Sequence, residues 1–279
     1  MIKKFALTLE YEIPEVLKPY VIAAIYGESK EDIQVTFPVF PNGFAVLIHV
    51  YADLPLLKVE DNSWLAPSHL NLAGQIHDTI PKMVIDGLFG QNGFLLHPLT
   101  PYYLFHIKGN RFVNEWIALE KIVDFDWTTL LKELEACREP IERVILLADM
   151  LMVLEQNRLP AIPWLDQCIA TIYQKNGVVS INEMVTLSSL SNRHFRRVFT
   201  EIVGVPPKYF CKVVQLNGLF EAINSSDNDK ILQLALENGY YDQSHFIHDF
   251  KKLIGDSPQR FLMGKDAYVK EYLGRKSLQ

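Results

Sequence analysis

The sequence predicts an α+β multidomain protein in which an antiparallel β-barrel or sandwich is followed by helices. Two observations lead to this fold class. The first half holds short segments rich in β-branched and aromatic residues, separated by Pro, Gly, Asn or Asp, which is typical of antiparallel strands. The second half repeats apolar residues at spacings of three and four, which is typical of helices. The chain has 279 residues, so two domains of ordinary size are expected.

Residues 1–125 are expected to form the strand-rich domain. The segments that favour strands are IQVTFPVF, GFAVLIHVY, PKMVIDGLFG and YYLFHI. Each is short and bounded by turn-forming residues, so we expect neighbouring strands to pair through tight connections.

Residues 126–160 are expected to form two accessory helices and a linker. The stretch DWTTLLKELEACREPIERVILLADMLMVLEQN has helical spacing, and Pro140 is expected to divide it because proline lacks a backbone N–H donor. The segment RLPAIPW then ends the pattern. The apolar stripe of this helix pair is broad, which leaves two interpretations open. Either it forms a dimer interface, or the barrel and the carboxyl-terminal half bury it entirely.

Residues 161–279 are expected to be helical, and several residues mark where these helices begin and end. Ser180 followed by Glu183 is typical of a capping box, which predicts a helix start near Ile181. Asp229 is expected to cap the helix KILQLALEN, and Gly239 is expected to end it in the left-handed conformation.

One helical pattern occurs twice in this part of the chain. The segments NRHFRRVFTEIVGVPPKYF (192–210) and QSHFIHDFKKLIGDSPQRF (243–261) share six residues when one is shifted by 51 positions. Ser191 and Asp242 precede the two copies and suit the N-cap position. Two phenylalanines lie four residues apart in each copy and therefore project from one helix face. Each copy predicts a helix-turn-helix, whose second helix leaves its outer face free to enter a major groove of DNA.

The outward positions of these second helices supply the candidate DNA-binding residues. Arginine suits such positions because its planar group pairs with guanine or phosphate through two hydrogen bonds. The candidates are Asn192, Arg193, Arg196 and Arg197 in the first copy, and Gln243, Ser244 and His248 in the second, flanked by Lys251 and Lys252. His194 and His245 recur beside the core phenylalanines, so they are expected to be buried or to take part in capping.

The segment LALENGYYDQSHFIHDFKKLIGDSPQRF resembles the signature of AraC-type bacterial transcription activators. An Ala, a Gly-aromatic pair, DQSHF, DFKK and G-x-SP occur at the family's spacings, and the resemblance covers about residues 165 to 263. FPNGFAVLIHV, LAGQIHD and GLFGQNGFLLHPLTPYYLF are similar to the cupin-like sensory half of one branch of these regulators. The sequence differs from the usual pattern at Val185, Gln215 and His248, where alanine, arginine and arginine respectively are common.

The resemblance implies a sequence-specific DNA-binding transcription regulator with an amino-terminal cupin-like β-barrel and a carboxyl-terminal double helix-turn-helix domain. The two recognition helices of this family are joined by a rigid helix and address successive major grooves about 34 Å apart. The implied partners are double-stranded promoter DNA, RNA polymerase, an unknown small-molecule effector and a second copy of the chain.

Other classes of function find little support in the sequence. No Gly-rich phosphate loop, nucleophile elbow or obvious carboxylate pair is present, so no enzymatic activity is expected. No metal or cofactor is expected, because the amino-terminal histidines lack the tight HxH with a following Glu of a metal cupin. The net charge of −6 does not by itself favour nucleic acid. The competing hypothesis is a small-molecule-binding or enzymatic cupin that carries a degenerate DNA module.

The sequence also carries an expectation about location. The start of the chain does not resemble a signal peptide, and no apolar stretch has the roughly 20 residues of a membrane span. We therefore expect a cytoplasmic protein.

Overall fold

The computed structural model describes residues 7–224 and 231–263. Its strands are β1 Leu7–Leu9, β2 Val21–Glu28, β3 Ile33–Pro38, β4 Ala45–Val50, β5 Leu56–Val59, β6 Asn62–Leu65, β7 Leu70–Ala73, β8 Lys82–Gly87, β9 Gly90–Leu96 and β10 Trp116–Ala118. Its α-helices are α1 Thr100–Phe105, α2 Trp127–Ala136, α3 Pro140–Glu155, α4 Pro163–Gln174, α5 Ile181–Ser188, α6 Asn192–Val203, α7 Pro207–Asn224, α8 Ile231–Glu237, α9 Gln243–Ile254 and α10 Pro258–Met263. None of these described helices combines the length and apolar character needed to cross a lipid bilayer.

The strands form two antiparallel sheets that enclose a cavity between them. The larger sheet has the order β1-β2-β9-β4-β7-β10, and the smaller has the order β3-β8-β5-β6. Alternate residues of a strand point to opposite faces. Leu47 and Phe94 therefore join the large core, whereas Ile48 and Leu95 line the cavity. The predicted antiparallel β domain is confirmed.

One predicted strand is wrong, because most of YYLFHI lies in the short helix α1. Pro101 occupies the first turn, where its missing N–H donor costs no hydrogen bond. His106 ends the helix in the left-handed conformation, at φ 56°. The side chains of Tyr103, Leu104 and Phe105 are buried. An aromatic run of this length suits a strand or a buried helix equally well, so tertiary packing decides.

Pro140 divides the accessory helices as predicted, because α2 ends at Ala136 and α3 begins at Pro140. Glu139 and Glu142 form a capping box at the start of α3. Most of the segment RLPAIPW lies between α3 and α4, whereas its last two residues, Pro163 and Trp164, begin α4.

The apolar stripe of α3 is only partly covered by the rest of the chain. Leu147 and Leu151 are fully buried against the core. Ile145 and Val153 instead leave 44% and 47% of their area exposed. The exposed part of the stripe is thus available to a partner, whereas the buried part is covered by the rest of the chain.

The strand-rich and helical halves share apolar cores. One cluster of buried residues includes Phe94 of the larger sheet together with Phe195 of α6. A second cluster includes Phe40, which follows β3, together with Phe246 of α9. Both copies of the helical pattern therefore pack on the amino-terminal half, and the domain boundaries after residues 125 and 160 stay a prediction.

The connection between β3 and β4, residues 39–44, contacts both halves and is termed the bridging segment. The Asn217 side chain of α7 donates a hydrogen bond to the Asn42 carbonyl at 2.8 Å. The ring of Phe40 packs edge-on against Phe261, with 6.1 Å between centroids. Other residues of the same segment, including Phe44, line the cavity between the sheets. The bridging segment thus lies between the cavity and α7.

Candidate nucleic-acid interface

The first helix-turn-helix comprises α5 and α6, and the N-caps Ser180 and Ser191 are confirmed. The Glu183 side chain pairs with Lys175 instead of completing the predicted capping box. Ser180 Oγ accepts a hydrogen bond from the Glu183 N–H at 3.1 Å, and α5 begins at Ile181. Ser191 Oγ accepts a hydrogen bond from the His194 N–H at 3.3 Å at the start of α6. Each bond satisfies a backbone donor that a helix start otherwise leaves free.

The second helix-turn-helix comprises α8 and α9 and has the same arrangement. Asp242 Oδ1 accepts a hydrogen bond from the His245 N–H at 2.8 Å. Gly239 follows α8 at φ 84°, as predicted, and Gly255 ends α9 at the same φ of 84°. The predicted cap Asp229 lies outside the described residues.

The inner faces of α6 and α9 are fixed by paired phenylalanines. The rings of Phe195 and Phe199 are fully buried with centroids 5.8 Å apart, and those of Phe246 and Phe250 are fully buried with centroids 5.5 Å apart. The first pair is tilted and the second is edge-to-face, and such pairs add to the stabilisation from burial alone. Since these positions face inward, the opposite face of each helix faces solvent.

Helix α7 joins the two units through a continuous buried stripe. The buried residues of this stripe include Phe210, Val213, Leu216, Leu219 and Phe220. Gln215, at the position where arginine is common in the family, donates a hydrogen bond to the Asn238 carbonyl at 2.9 Å. This bond ties α7 to the chain directly after α8.

The four candidate residues of the first copy are all exposed. Arg196 Nε donates a hydrogen bond to Asn192 Oδ1 at 2.6 Å, which orients the guanidinium along the outer face. Arg193 pairs with no carboxylate within the part of the chain that the structure describes. Both guanidinium groups can therefore contact an approaching phosphate.

Arg197 takes part in an ion-pair network with the amino-terminal half. Its Nη1 lies 3.2 Å from Glu201 Oε2, and Glu201 also pairs with Lys108. The Lys108 hydrogen bond holds the pKa of Glu201 below its usual value. Exposed pairs of this kind are weak, so Arg197 can exchange the carboxylate for phosphate.

The candidate residues of the second copy also face solvent. The exposed residues are Gln243, Ser244, His248, Lys251 and Lys252. The His248 side chain is 76% exposed. Lys252 Nζ lies 2.9 Å from Asp78 Oδ1, and this contact lowers the pKa of Asp78. Lys252 therefore links α9 to the amino-terminal half.

The expected burial of His194 and His245 is wrong, although their predicted link to the caps is confirmed. Both side chains are exposed, and only their backbone N–H groups are used by the capping residues. Each histidine directly precedes a buried phenylalanine, and one residue rotates a helix by about 100°. These histidines therefore point away from the core, although they recur beside core phenylalanines in the sequence.

A buried carboxylate in α9 was not apparent from the sequence pattern. Asp249 is 1% exposed, and its Oδ1 lies 2.5 Å from Lys212 Nζ of α7. His245 Nε2 and His248 Nδ1 lie 3.2 Å and 3.4 Å from the same carboxylate. The equivalent residue of the first copy is Val198. The presence of Asp249 where the first copy has the apolar Val198 was the sequence signal that could have revealed this cluster.

Comparison with known proteins points to the same part of the chain. Residues 184–263 match the model of a family described as a helix-turn-helix domain. An uncharacterized HTH-type transcriptional regulator of Haemophilus influenzae is 25% identical over 166 residues, which cover 60% of this chain and 51% of that protein. The match thus spans about half the length of that curated relative.

Solved structures of ToxT from Vibrio cholerae have low sequence identity to this chain. One is 12% identical, covers 84% of this chain and 98% of its own, and has a TM-score of 0.47. Another, of ToxT bound to an unsaturated fatty acid, is 10% identical, covers 85% and 96%, and has a TM-score of 0.44. The family match coincides with the two capped helix pairs and the signature around α9. We conclude that the chain carries a helix-turn-helix domain at residues 184–263.

Proposed function

We propose that this protein is a sequence-specific DNA-binding transcription regulator that reads two successive major grooves with α6 and α9. The observation that best supports this is the contrast between the two faces of these helices. Their inner faces repeat the same phenylalanine packing, whereas their outer faces carry different residues. One monomer thus presents two different reading surfaces, which suits an asymmetric site rather than a palindrome.

The arginine face of α6 provides the first test of this function. Replacing Arg193, Arg196 and Arg197 by alanine should weaken binding to the promoter beside the protein's own gene. The slope of log affinity against log salt should also fall, by about 0.9 for each DNA phosphate that the variant no longer neutralises. Fluorescence anisotropy of a labelled duplex at several salt concentrations measures both quantities.

A matched control replaces three exposed lysines of the amino-terminal half. Lys30, Lys58 and Lys132 are exposed, and their replacement by alanine removes the same charge from a surface remote in sequence from α6. This control should leave the salt slope close to that of the wild type. An arginine variant that stays folded and keeps the wild-type affinity and slope would contradict the assignment.

Selection from a random duplex library separates the proposal from its alternatives. We expect a site with two dissimilar elements about one helical turn apart. Binding with little sequence preference would instead favour action through protein contacts. Failure to bind any duplex, together with a ligand or metal in the purified protein, would favour the cupin hypothesis.

The effector of this regulator is assigned to the cavity between the two sheets. Residues of both sheets and of the bridging segment line the cavity. The bridging segment therefore separates an occupant from α7. Mass spectrometry of molecules that co-purify with the protein tests for an effector directly.

The exposed part of α3 supports a second copy of the chain as a further partner. Replacing Ile145 and Val153 by aspartate should shift the sedimenting species toward monomer, if the exposed stripe forms a dimer. A wild type that sediments as a monomer at high concentration would remove this part of the proposal.

RNA polymerase is proposed as the partner through which bound protein changes transcription, and in vitro transcription with purified polymerase tests it.

A further inference from the structure

We propose that the cavity between the sheets accepts a small, uncharged, largely apolar molecule that donates one hydrogen bond to Gln91, and that it rejects carboxylates. The role of this molecule as the effector rests on the function proposed above. Its chemical class rests on the cavity wall alone.

The wall of the cavity is predominantly apolar on both sides. The larger sheet contributes Ile48 and Leu95, and the smaller sheet contributes Leu57 and Met83. Aromatic surface comes from tryptophans, including Trp116. Transfer of apolar surface from water into such a cavity is favourable by about 25 cal/mol for each Å² buried. The wall therefore selects an apolar occupant.

The charge of the wall excludes an anion. Glu115 is the one ionisable side chain among the described lining residues, which include no lysine, arginine or histidine. A carboxylate placed in the cavity would lose its hydration without gaining a cation, and an acidic residue lies in the same wall. An unpaired buried charge is strongly unfavourable. An uncharged occupant avoids this cost.

Among the described lining residues, one buried side-chain polar atom is left without a hydrogen-bond partner. The Oε1 atom of Gln91 is buried and accepts no hydrogen bond within the described part of the chain. Asn114 does not offer an equivalent group, because its amide donates to the His77 carbonyl at 3.0 Å and accepts from the His77 N–H at 2.7 Å. An unsatisfied buried acceptor is costly. An O–H or N–H group of the occupant would satisfy it.

The free volume limits the size of the occupant. The cavity measures about 80 Å³, compared with roughly 150 Å³ for a cavity known to accept benzene. Met83 lies in the wall, and methionine side chains adapt their shape readily. An occupant with a single ring therefore already requires side-chain movement, and we assign a single ring with a short polar substituent as the upper limit of size.

Three fluorinated probes of one ring size test the proposed class. They are 4-fluorobenzyl alcohol, which is uncharged and donates a hydrogen bond, 4-fluorotoluene, which cannot donate, and 4-fluorobenzoate, which is charged. Titration of the full-length protein into each probe, followed by fluorine NMR, gives the affinities. We expect the alcohol to bind about three- to tenfold more tightly than the toluene, because one hydrogen bond contributes at most about a factor of ten. The benzoate should show no saturable binding.

Variants of Gln91 test the assigned acceptor. Gln91→Leu should reduce the affinity for the alcohol to that for the toluene, while leaving the affinity for the toluene within about twofold. Gln91→Met provides a second apolar replacement in case the leucine variant does not fold. The matched control is Gln34→Leu on β3, an exposed strand position, which should change no affinity.

The outcomes separate this inference from the proposed function. Benzoate binding as tight as alcohol binding, absence of binding by all three probes, or an unchanged preference for the alcohol in both Gln91 variants would each overturn the inference. None of these titrations contains DNA. A failed duplex selection would therefore remove the role of effector while the binding results stand.

Discussion

At the scale of single residues, the buried carboxylate of Asp249 pairs most closely with the ammonium group of Lys212. Lys212 Nζ lies 2.5 Å away, and only 27% of the Lys212 side chain is exposed. The imidazoles of His245 and His248 lie further from this carboxylate, at 3.2 Å and 3.4 Å, so removing the lysine removes its closest cation. Loss of the close partner of a buried charge is strongly destabilising. Lys212→Met should therefore lower the free energy of unfolding by about 3 kcal/mol. Urea denaturation followed by circular dichroism measures this change.

A second substitution shows whether the uncompensated charge is the cause. Adding Asp249→Val to Lys212→Met introduces the residue found at the equivalent Val198 and removes both charges. The double variant should recover most of the stability that the single variant lacks. Lys208→Met, at an exposed position of the same helix, serves as the control and should cost little. A double variant as unstable as the single one would show that packing of the lysine stem, not charge, is responsible.

His49 is a buried residue whose neutral form the fold requires. Burial lowers the pKa of His49 to about 4, and the contact between its Nδ1 and Asn92 Oδ1, at 3.0 Å, only partly opposes this. Histidine in an unfolded chain titrates near about 6.5. As the pH falls below that value, the unfolded chain takes up a proton that the folded chain does not. His49 alone should therefore cost about 2 kcal/mol of stability at pH 5 relative to pH 7.

The variant His49→Gln isolates this contribution. Burial also lowers the pKa of His97 to about 4, but His97 is present in both proteins and its effect cancels in the comparison. The difference in unfolding free energy between pH 7 and pH 5 should thus be smaller in the variant by about 2 kcal/mol. Equal losses in the two proteins would indicate that His49 titrates normally.

At the scale of secondary-structure elements, helices of the carboxyl-terminal half could be predicted from local signals. Ser191 and Asp242 stand next to the helices they cap, and phenylalanines four residues apart define the inner faces. The α1 segment lacked such a signal, because its aromatic run is compatible with a strand. The pair of Lys212 with Asp249 spans 37 residues. A contact of that range depends on the packing of α7 against α9, which no local pattern contains.

Two glycines provide a test of how closely the elements approach each other. A Cβ atom at Gly109 would lie 2.5 Å from the Val203 carbonyl carbon of α6, whereas one at Gly218 of α7 would lie no closer than 3.4 Å to Asn176. Gly109→Ala should thus destabilise the protein by about 1 to 3 kcal/mol, because backbone must shift.

The matched substitution Gly218→Ala should have the opposite sign. It lies in a helix interior, where alanine is favoured over glycine by about 0.5 to 1 kcal/mol. Thermal denaturation of both variants measures the two effects. Equal shifts in the midpoint temperature would show that α6 does not approach residue 109 as closely as described.

At the scale of the whole molecule, the amino-terminal half contacts both helix-turn-helix units at polar as well as apolar positions. Lys108 pairs with Glu201 of α6, and Asp78 pairs with Lys252 of α9. The sequence indicated the two units separately, since each has its own pattern. The packing of both units against the amino-terminal half could not be predicted, because the surfaces that meet are far apart in the sequence.

The bridging segment has a consequence for how information passes through this molecule. Phe44 lies in the cavity wall, while Asn42 of the same segment holds α7. If a cavity occupant changes the affinity for DNA, the two equilibria are coupled, and DNA must change the affinity for the occupant by the same factor. Titrating 4-fluorobenzyl alcohol with and without saturating duplex gives one factor, and titrating duplex with and without the alcohol gives the other. Promoter DNA then acts as an effector of the small-molecule site, so the promoter-bound protein senses its signal over a different concentration range from the free protein.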